Sequence, residues 1–135
     1  MRTVFADTQY WIALAIPLDQ WHERAIEVSK SIHPVRLITT DEILVEFLNY
    51  FSGRGIAARN AGVQMVLSIN ANPNIQVVPQ TRESFLAGLR LYEERSDKEY
   101  SLTDCISLNV MNNNGIVEAL TRDSHFSQEG KTLLL

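Results

Sequence analysis

Hydrophobic and polar residues follow two different periods along this chain. Four short apolar runs, each bounded by polar or turn residues, predict buried β-strands; they cover residues 4–6, 35–40, 75–79 and 116–120. Elsewhere apolar residues recur every three or four positions, which is typical of amphipathic helices. The predicted helices cover residues 10–17, 18–32, 42–52, 57–69, 82–95 and 105–111, and residues 132–135 predict a short last strand.

Polar residues mark the starts of several predicted helices. Asp41 and Thr81 are each predicted to be the N-cap of the helix that follows. Ser101 and Asp104 have the spacing of a capping box, in which each side chain bonds to the backbone N–H of the other residue. The segment at 105–111 is apolar on nearly every side, so it is predicted to be buried.

The alternation of strands with helices predicts an α/β sandwich with a mostly parallel central sheet. Residues 1–135 are expected to form a single domain, because the chain is 45% hydrophobic and shows no linker or internal repeat. Ligands of such sheets bind beyond the carboxyl ends of the strands. A functional site is therefore expected at that edge.

Composition and charge exclude several kinds of site. The single cysteine, Cys105, cannot form an internal disulfide or a zinc site built from paired cysteines. Asp7, Gln9 and Pro17 interrupt the apolar N-terminal segment, so it has the pattern of neither a signal peptide nor a membrane span, and a cytoplasmic location is expected. The net charge of −4 argues against a nucleic-acid partner, unless some of the acids hold cations.

Four acidic residues from separate segments are predicted to meet at the carboxyl edge of the sheet. Asp7 directly follows the first strand, and Asp123 comes shortly after the strand at 116–120. Glu46 and Asp104 lie in the first two turns of helices, on faces shared with apolar residues, so both side chains are expected to point towards the protein.

Each of these acids also has an ordinary structural explanation. Asp7 and Asp123 could be turn or loop residues, Asp104 could serve only the capping box, and Glu46 could be a solvated helix acid. All of these explanations would have to hold while the acids still fall at one edge. Their coincidence therefore favours a shared site.

Converging carboxylates need a compensating positive charge. Two carboxylates ~5 Å apart repel each other by roughly 3 kcal/mol at an effective dielectric of about 20. Protonation relieves one such pair, but a larger cluster more naturally holds a divalent cation. Oxygen ligands without a Cys/His set favour Mg²⁺ or Mn²⁺ over zinc, and ions held in this way typically act on phosphate esters.

The segments that contain these acids resemble the acidic motifs of PIN domains. They are VFADTQYWIAL with Asp7, TTDEILVEFLNYF with Glu46, YSLTDCIS with Asp104 and ALTRDSHF with Asp123, and the resemblance spans nearly the whole chain. The chain is most similar to the small VapC-type ribonucleases of prokaryotic toxin–antitoxin modules. This resemblance implies a Rossmann-like three-layer sandwich, a Mg²⁺ or Mn²⁺ site and endonucleolytic RNA cleavage.

The resemblance also implies roles for the acids and for the protein's partners. Asp7 and Asp104 would be the principal metal ligands, and Glu46 and Asp123 would bind a second metal ion or position the attacking water. All four would then be catalytic residues, and hydrolysis by metal-activated water would leave a 5′-phosphate and a 3′-hydroxyl. The expected partners are RNA, a cognate antitoxin and a second copy of the chain, without membrane contact.

Supporting residues lie beside these acids. Thr8 and Thr121 match small hydroxyl positions that could support the ligands. Arg122 and Lys98 are the basic residues best placed to contact RNA phosphates. His125 is interpreted as a residue that fixes the loop or contacts substrate, rather than as a general base.

Two other functions would share some of these sequence features. A phosphatase of the haloacid dehalogenase type also has an aspartate after its first strand, but it requires a second aspartate two residues later, where this chain has Gln9. A non-catalytic PIN-fold scaffold that binds RNA or protein would be expected to have lost one or more acids, and none is lost here. A metal-dependent endoribonuclease is therefore favoured.

Overall fold

A computed structural model describes all residues from Met1 to Leu135 and shows five strands and seven helices. The strands are β1 (Arg2–Ala6), β2 (Val35–Thr40), β3 (Ile75–Val78), β4 (Glu118–Leu120) and β5 (Thr132–Leu133). The helices are α1 (Thr8–Ala15), α2 (His22–Ser31), α3 (Asp41–Phe51), α4 (Ile56–Ala71), α5 (Arg82–Glu94), α6 (Leu102–Asn113) and α7 (Ser124–Gln128).

All five strands are parallel and lie in the order β3-β2-β1-β4-β5. This arrangement confirms the predicted α/β fold. The chain extends the sheet first to one side of β1 and then, from β4 onwards, to the other side. Ligands of open parallel sheets bind where the strand order reverses in this way, beyond the carboxyl ends of the strands. In this protein that place lies beyond β1 and β4.

The central strand is buried on both faces. Val4, Phe5 and Ala6 of β1 have no solvent exposure and belong to one continuous cluster of 26 buried hydrophobic residues. Covered strands of parallel sheets are apolar on both faces for this reason. The backbone that carries the residue after β1 is therefore held rigidly on both sides by neighbouring strands.

Two of the three predicted N-caps are confirmed, and one is wrong. The N-caps of α5 and α6 are Thr81 and Ser101, and both form capping boxes. The N-cap of α3 is Thr40 rather than Asp41, because the Thr40 hydroxyl accepts a hydrogen bond from the Ile43 N–H at 3.1 Å. Asp41 lies inside the first turn, and its carboxylate accepts a hydrogen bond from the Gln80 N–H instead.

The packing of α5 against α6 leads to a first prediction. A Cβ added at Gly88 of α5 would lie 2.5 Å from Cγ1 of the buried Ile106 in α6. Overpacking in Gly88→Ala is therefore expected to cost about 1–3 kcal/mol of the free energy of unfolding. This cost should outweigh the gain of about 1 kcal/mol from the higher helix propensity of alanine.

Urea unfolding of both proteins would measure the effect of this substitution. Gly53→Ala is the matched control, since a Cβ at that position meets no atom within 4 Å and should change stability by less than about 0.5 kcal/mol. A Gly88→Ala protein as stable as the wild type would show that α5 and α6 separate without cost.

Candidate active site

Asp7 lies at the carboxyl end of β1, where it is the N-cap residue of α1, but its side chain makes no capping bond. The residue is only 6% exposed. Its Oδ2 accepts a hydrogen bond from the hydroxyl of Thr121, which follows β4, at 2.8 Å. A carboxylate that is buried to this extent and does not cap its helix is unusual for a residue with only a structural role.

The environment of Asp7 disfavours its charge. Burial is the main cause that raises the pKa of Asp7 from 3.8 to about 7, and the charges of Glu46 and Asp104 raise it further. The hydrogen bonds from Thr121 and from the Thr8 backbone oppose this shift without cancelling it. Without a cation, the Asp7 carboxyl is therefore partly protonated at neutral pH.

Glu46 projects from α3 towards the same place. Its carboxylate accepts a hydrogen bond from the hydroxyl of Thr8, the residue next to Asp7. Burial raises the pKa of Glu46, and the charges of Asp104 and Asp123 add to this effect, while the Thr8 hydrogen bond opposes it. Each of the two threonines named from the sequence thus donates a hydrogen bond to one of the predicted acids.

Asp104 belongs to the first turn of α6 and has two roles. Its Oδ2 accepts a hydrogen bond from the Ser101 N–H at 3.1 Å, which completes the capping box, and lies 2.9 Å from Nδ1 of His125. Capping therefore does not withdraw this carboxylate from the cluster. The same side chain fixes the start of its helix and faces the other acids.

Asp123 is the N-cap of α7. Its Oδ1 accepts a hydrogen bond from the His125 backbone N–H at 2.9 Å. Its own backbone N–H donates to the hydroxyl of Thr121 at 3.0 Å. Because the same hydroxyl donates to Asp7, Thr121 links two of the acids directly.

The imidazole of His125 lies between two of the carboxylates. Its Nδ1 is 2.9 Å from Asp104 Oδ2 and 3.3 Å from Asp123 Oδ1. Burial lowers the pKa of His125, but the hydrogen bond to Asp104 and the charges of Asp123 and Asp104 outweigh it, so the pKa is raised overall. Ligand atoms of these three residues all lie within 4.8 Å of one another.

The structure thus brings together all the acids named from the sequence, although not at equal distances. Asp104 and Asp123 form a tight group with His125. Asp7 and Glu46 interact with this group through their charges. No arginine or lysine forms an ion pair with any of the four carboxylates.

Gln9 is a further residue of the site that the sequence analysis did not assign. Its Oε1 accepts a hydrogen bond from the Arg122 backbone N–H at 2.8 Å and lies 3.3 Å from the hydroxyl oxygen of Thr121. It therefore joins the first turn of α1 to the segment after β4. No periodicity or motif distinguishes such a contact, because it depends on the pairing of β1 with β4.

The two basic residues named as RNA contacts lie in different surroundings. The guanidinium of Arg122 stacks over the ring of Trp21, 3.9 Å from its centroid. Lys98 lines a polar surface hollow together with His125 and Gln128. Of the two cations, Lys98 is thus the one with open access to solvent beside the acidic group, and a role in RNA binding stays a prediction for both.

The donor set fits a divalent cation. Asp104 and Asp123 lie in one close group with His125, and Asp7 and Glu46 are near enough for their charges to interact with it, while no arginine or lysine is paired with any of the four carboxylates. Carboxylate oxygens of this kind suit Mg²⁺ or Mn²⁺. Burial and the charges of Glu46 and Asp104 raise the pKa of Asp7, and a cation bound here would offset these effects.

Comparison with known proteins gives relatives over almost the full length. The chain is 30% identical over 130 residues to VapC20 of Mycobacterium tuberculosis, described as a 23S rRNA-specific endonuclease, and the alignment covers 94% of each protein. No protein-family model matches the sequence. None of the helices is both long enough and apolar enough to cross a membrane.

Solved structures agree with these relatives. The crystal structure of M. tuberculosis VapC20, described as a sarcin-ricin loop cleaving toxin, superimposes with a TM-score of 0.84 at 26% identity and covers 96% of each chain. FitAcB from Neisseria gonorrhoeae has a TM-score of 0.68 at 16% identity, with 98% of this chain and 96% of the other covered. This second likeness shows the fold alone.

Proposed function

Because this chain belongs to the VapC-type PIN domains, we propose that it is a metal-dependent endoribonuclease and the toxin of a toxin–antitoxin pair. The observation that carries the proposal is the meeting of Asp7, Glu46, Asp104 and Asp123 at the carboxyl edge of the sheet without an arginine or lysine partner. Acidic residues with a structural role normally form an ion pair or face solvent, whereas Asp7 is buried and forms no ion pair.

The four carboxylates would hold Mg²⁺ or Mn²⁺. Asp7 and Asp104 are proposed as the principal ligands, with Glu46 and Asp123 completing the site. The bound cation would neutralise negative charge on the scissile phosphate and lower the pKa of a bound water.

The chain's own residues hold these ligands in place. Thr121 orients Asp7, Thr8 orients Glu46, and the capping box orients Asp104. His125 lies between Asp104 and Asp123 and keeps them from separating. Such supporting groups commonly change metal affinity or activity by about 10–100-fold when they are removed.

RNA is the proposed substrate class. Ribosomal RNA is the first RNA to test, since the relative VapC20 is described as specific for 23S rRNA. We also propose an antitoxin partner, a homodimer and action in the cytoplasm, where such a substrate would be found.

The function is tested by the cleavage of 23S rRNA with Mn²⁺, with Mg²⁺ and with EDTA. Wild-type protein should cut the RNA with either ion and not with EDTA. Glu46→Gln should lower the rate by roughly 10–100-fold, because it removes one charge from the cluster.

Glu42→Gln is the matched control, one turn earlier on the same helix. Burial raises the pKa of Glu42 as well, but the only other charge that contributes is that of its neighbour Asp41. It should therefore cut RNA at the wild-type rate. Cutting in EDTA, or equal rates for both variants, would contradict the proposed metal site, and binding without cutting would favour the non-catalytic scaffold.

A further inference from the structure

The segments next to α6 and α7, the helices that start near Asp104 and Asp123, are joined by a second set of polar contacts. Tyr100 precedes the α6 N-cap by one residue, and Glu129 directly follows α7. The Tyr100 hydroxyl donates to Glu129 Oε2 at 2.9 Å. Tyr100 is only 4% exposed, and the contact with the half-buried Glu129 is partly buried.

Arg95, at the end of α5, holds the same carboxylate. Its Nε donates to both oxygens of Glu129 at 3.3 and 3.2 Å, and its Nη2 donates to Oε1 at 3.1 Å. These bonds are the main cause that lowers the pKa of Glu129, so its carboxylate stays ionised and accepts the Tyr100 hydrogen bond at neutral pH. Arginine pairs of this kind are directional as well as attractive.

The Tyr100 ring also contacts the acidic site. It packs against the imidazole of His125 with ring centroids 5.2 Å apart and an interplanar angle of 52°. On its other side this imidazole meets Asp104 and Asp123. The position of the Tyr100 ring thus limits where the imidazole can lie.

Local structure alone does not place His125. α7 has five residues, which is too short for a stable helix without tertiary contacts. The buried side chain of Phe126 attaches it to the core, and the Glu129 carboxylate attaches its other end to Tyr100 and Arg95. Glu129 follows His125 by four residues, so the two side chains lie on the same face of the helix.

We propose that Tyr100 is a positioning residue of the active site: its hydrogen bond to Glu129 holds the ring that keeps the His125 imidazole between Asp104 and Asp123. The inference rests on the proposed nuclease function. In this proposal Tyr100 acts through His125, the residue that its ring contacts.

The experiment compares Tyr100→Phe and Glu129→Ala with Tyr10→Phe. Tyr10 is the matched control, because it is also buried and its hydroxyl also has one side-chain partner, Ser29 at 2.7 Å, but it does not contact the acids. Mn²⁺ binding is measured by calorimetry. The values of kcat and KM are measured with 23S rRNA as substrate, and the position of the His125 imidazole is followed by ¹⁵N NMR of the metal-free protein.

Both site variants should bind Mn²⁺ about tenfold more weakly and show a lower kcat at unchanged KM, and their His125 ring nitrogen signals should shift. Tyr10→Phe should lose a comparable amount of stability but keep all three properties. Glu129→Ala provides the result if Tyr100→Phe does not fold.

The proposal is overturned if both variants retain the His125 signals and the Mn²⁺ affinity while they unfold more easily, as Tyr10→Phe does. A wild-type protein that neither binds Mn²⁺ nor cuts RNA would instead contradict the proposed function. In that case the His125 signals of the metal-free variants still show whether Tyr100 holds the imidazole.

Discussion

Asp7→Asn is expected to abolish RNA cleavage while making the metal-free protein more stable. Loss of a residue proposed as a principal ligand should reduce the rate by more than about 100-fold, since supporting residues alone commonly contribute 10–100-fold. The amide keeps an oxygen that can accept the Thr121 hydrogen bond, so the fold should be retained. The opposite signs of the two effects would identify Asp7 as a residue retained for function at the expense of stability.

The gain in stability should depend on pH in a defined direction. The pKa of Asp7 is about 7 in the folded protein and 3.8 as an ordinary carboxyl. Ionisation of Asp7 therefore destabilises the folded protein. The cost in free energy of unfolding is absent below about pH 4, grows as the pH rises towards 7, and is complete above pH 7. A shift of this size corresponds to roughly 4 kcal/mol at most.

Urea unfolding in EDTA at pH 5 and pH 8 would measure this difference between the two proteins. Asp7→Asn should gain most at pH 8 and less than about half as much at pH 5, and added Mn²⁺ should stabilise the wild type alone. Glu93→Gln, which removes an exposed charge, serves as the control. Wild-type cleavage by Asp7→Asn, or an equal gain at both pH values, would show that Asp7 is not a buried, charged ligand.

Of the substitutions considered, Phe126→Ala is expected to lower the free energy of unfolding most, by about 3–5 kcal/mol. The Phe126 side chain has no solvent exposure, and its ring lies 6.3 Å from that of Phe5 in the central strand. It is also the buried residue of α7, the helix that follows Asp123. The substitution should therefore reduce RNA cleavage as well as stability.

Thermal and urea unfolding would measure the loss, and cleavage at a temperature where the variant is folded would measure the effect on the site. Phe126→Leu, which keeps much of the volume, should retain more of both properties. Leu18→Ala is the control for a lost apolar side chain, because Leu18 is 97% exposed. A stable, fully active Phe126→Ala protein would show that α7 is held by its polar contacts alone.

The strands, the longer helices and the convergence of the acids were predictable because each has a local signal. Apolar runs and helical periods reflect burial, and the acids follow the ends of elements whose parallel arrangement brings those ends together. The sequence also predicted that Thr8 and Thr121 support the acids, and both donate hydrogen bonds to them.

The parts that were not predicted depend on contacts between distant residues. α7 is too short to show a helical period, and nothing near Arg122 in the sequence indicates that it stacks on Trp21. The N-cap of α3 was misassigned by one residue, because Thr40 and Asp41 are both good capping residues and only the backbone geometry decides between them.

The pairing of β1 with β4 has a consequence for synthesis of the protein. Asp7 is synthesised 114 residues before its partner Thr121. A nascent chain shorter than about 120 residues has Asp7 and Glu46 but lacks Asp123 and the strand that closes the site. The site therefore closes only after residues 118–123 have been synthesised, so shorter nascent chains lack the arrangement of acids that the proposed cleavage requires.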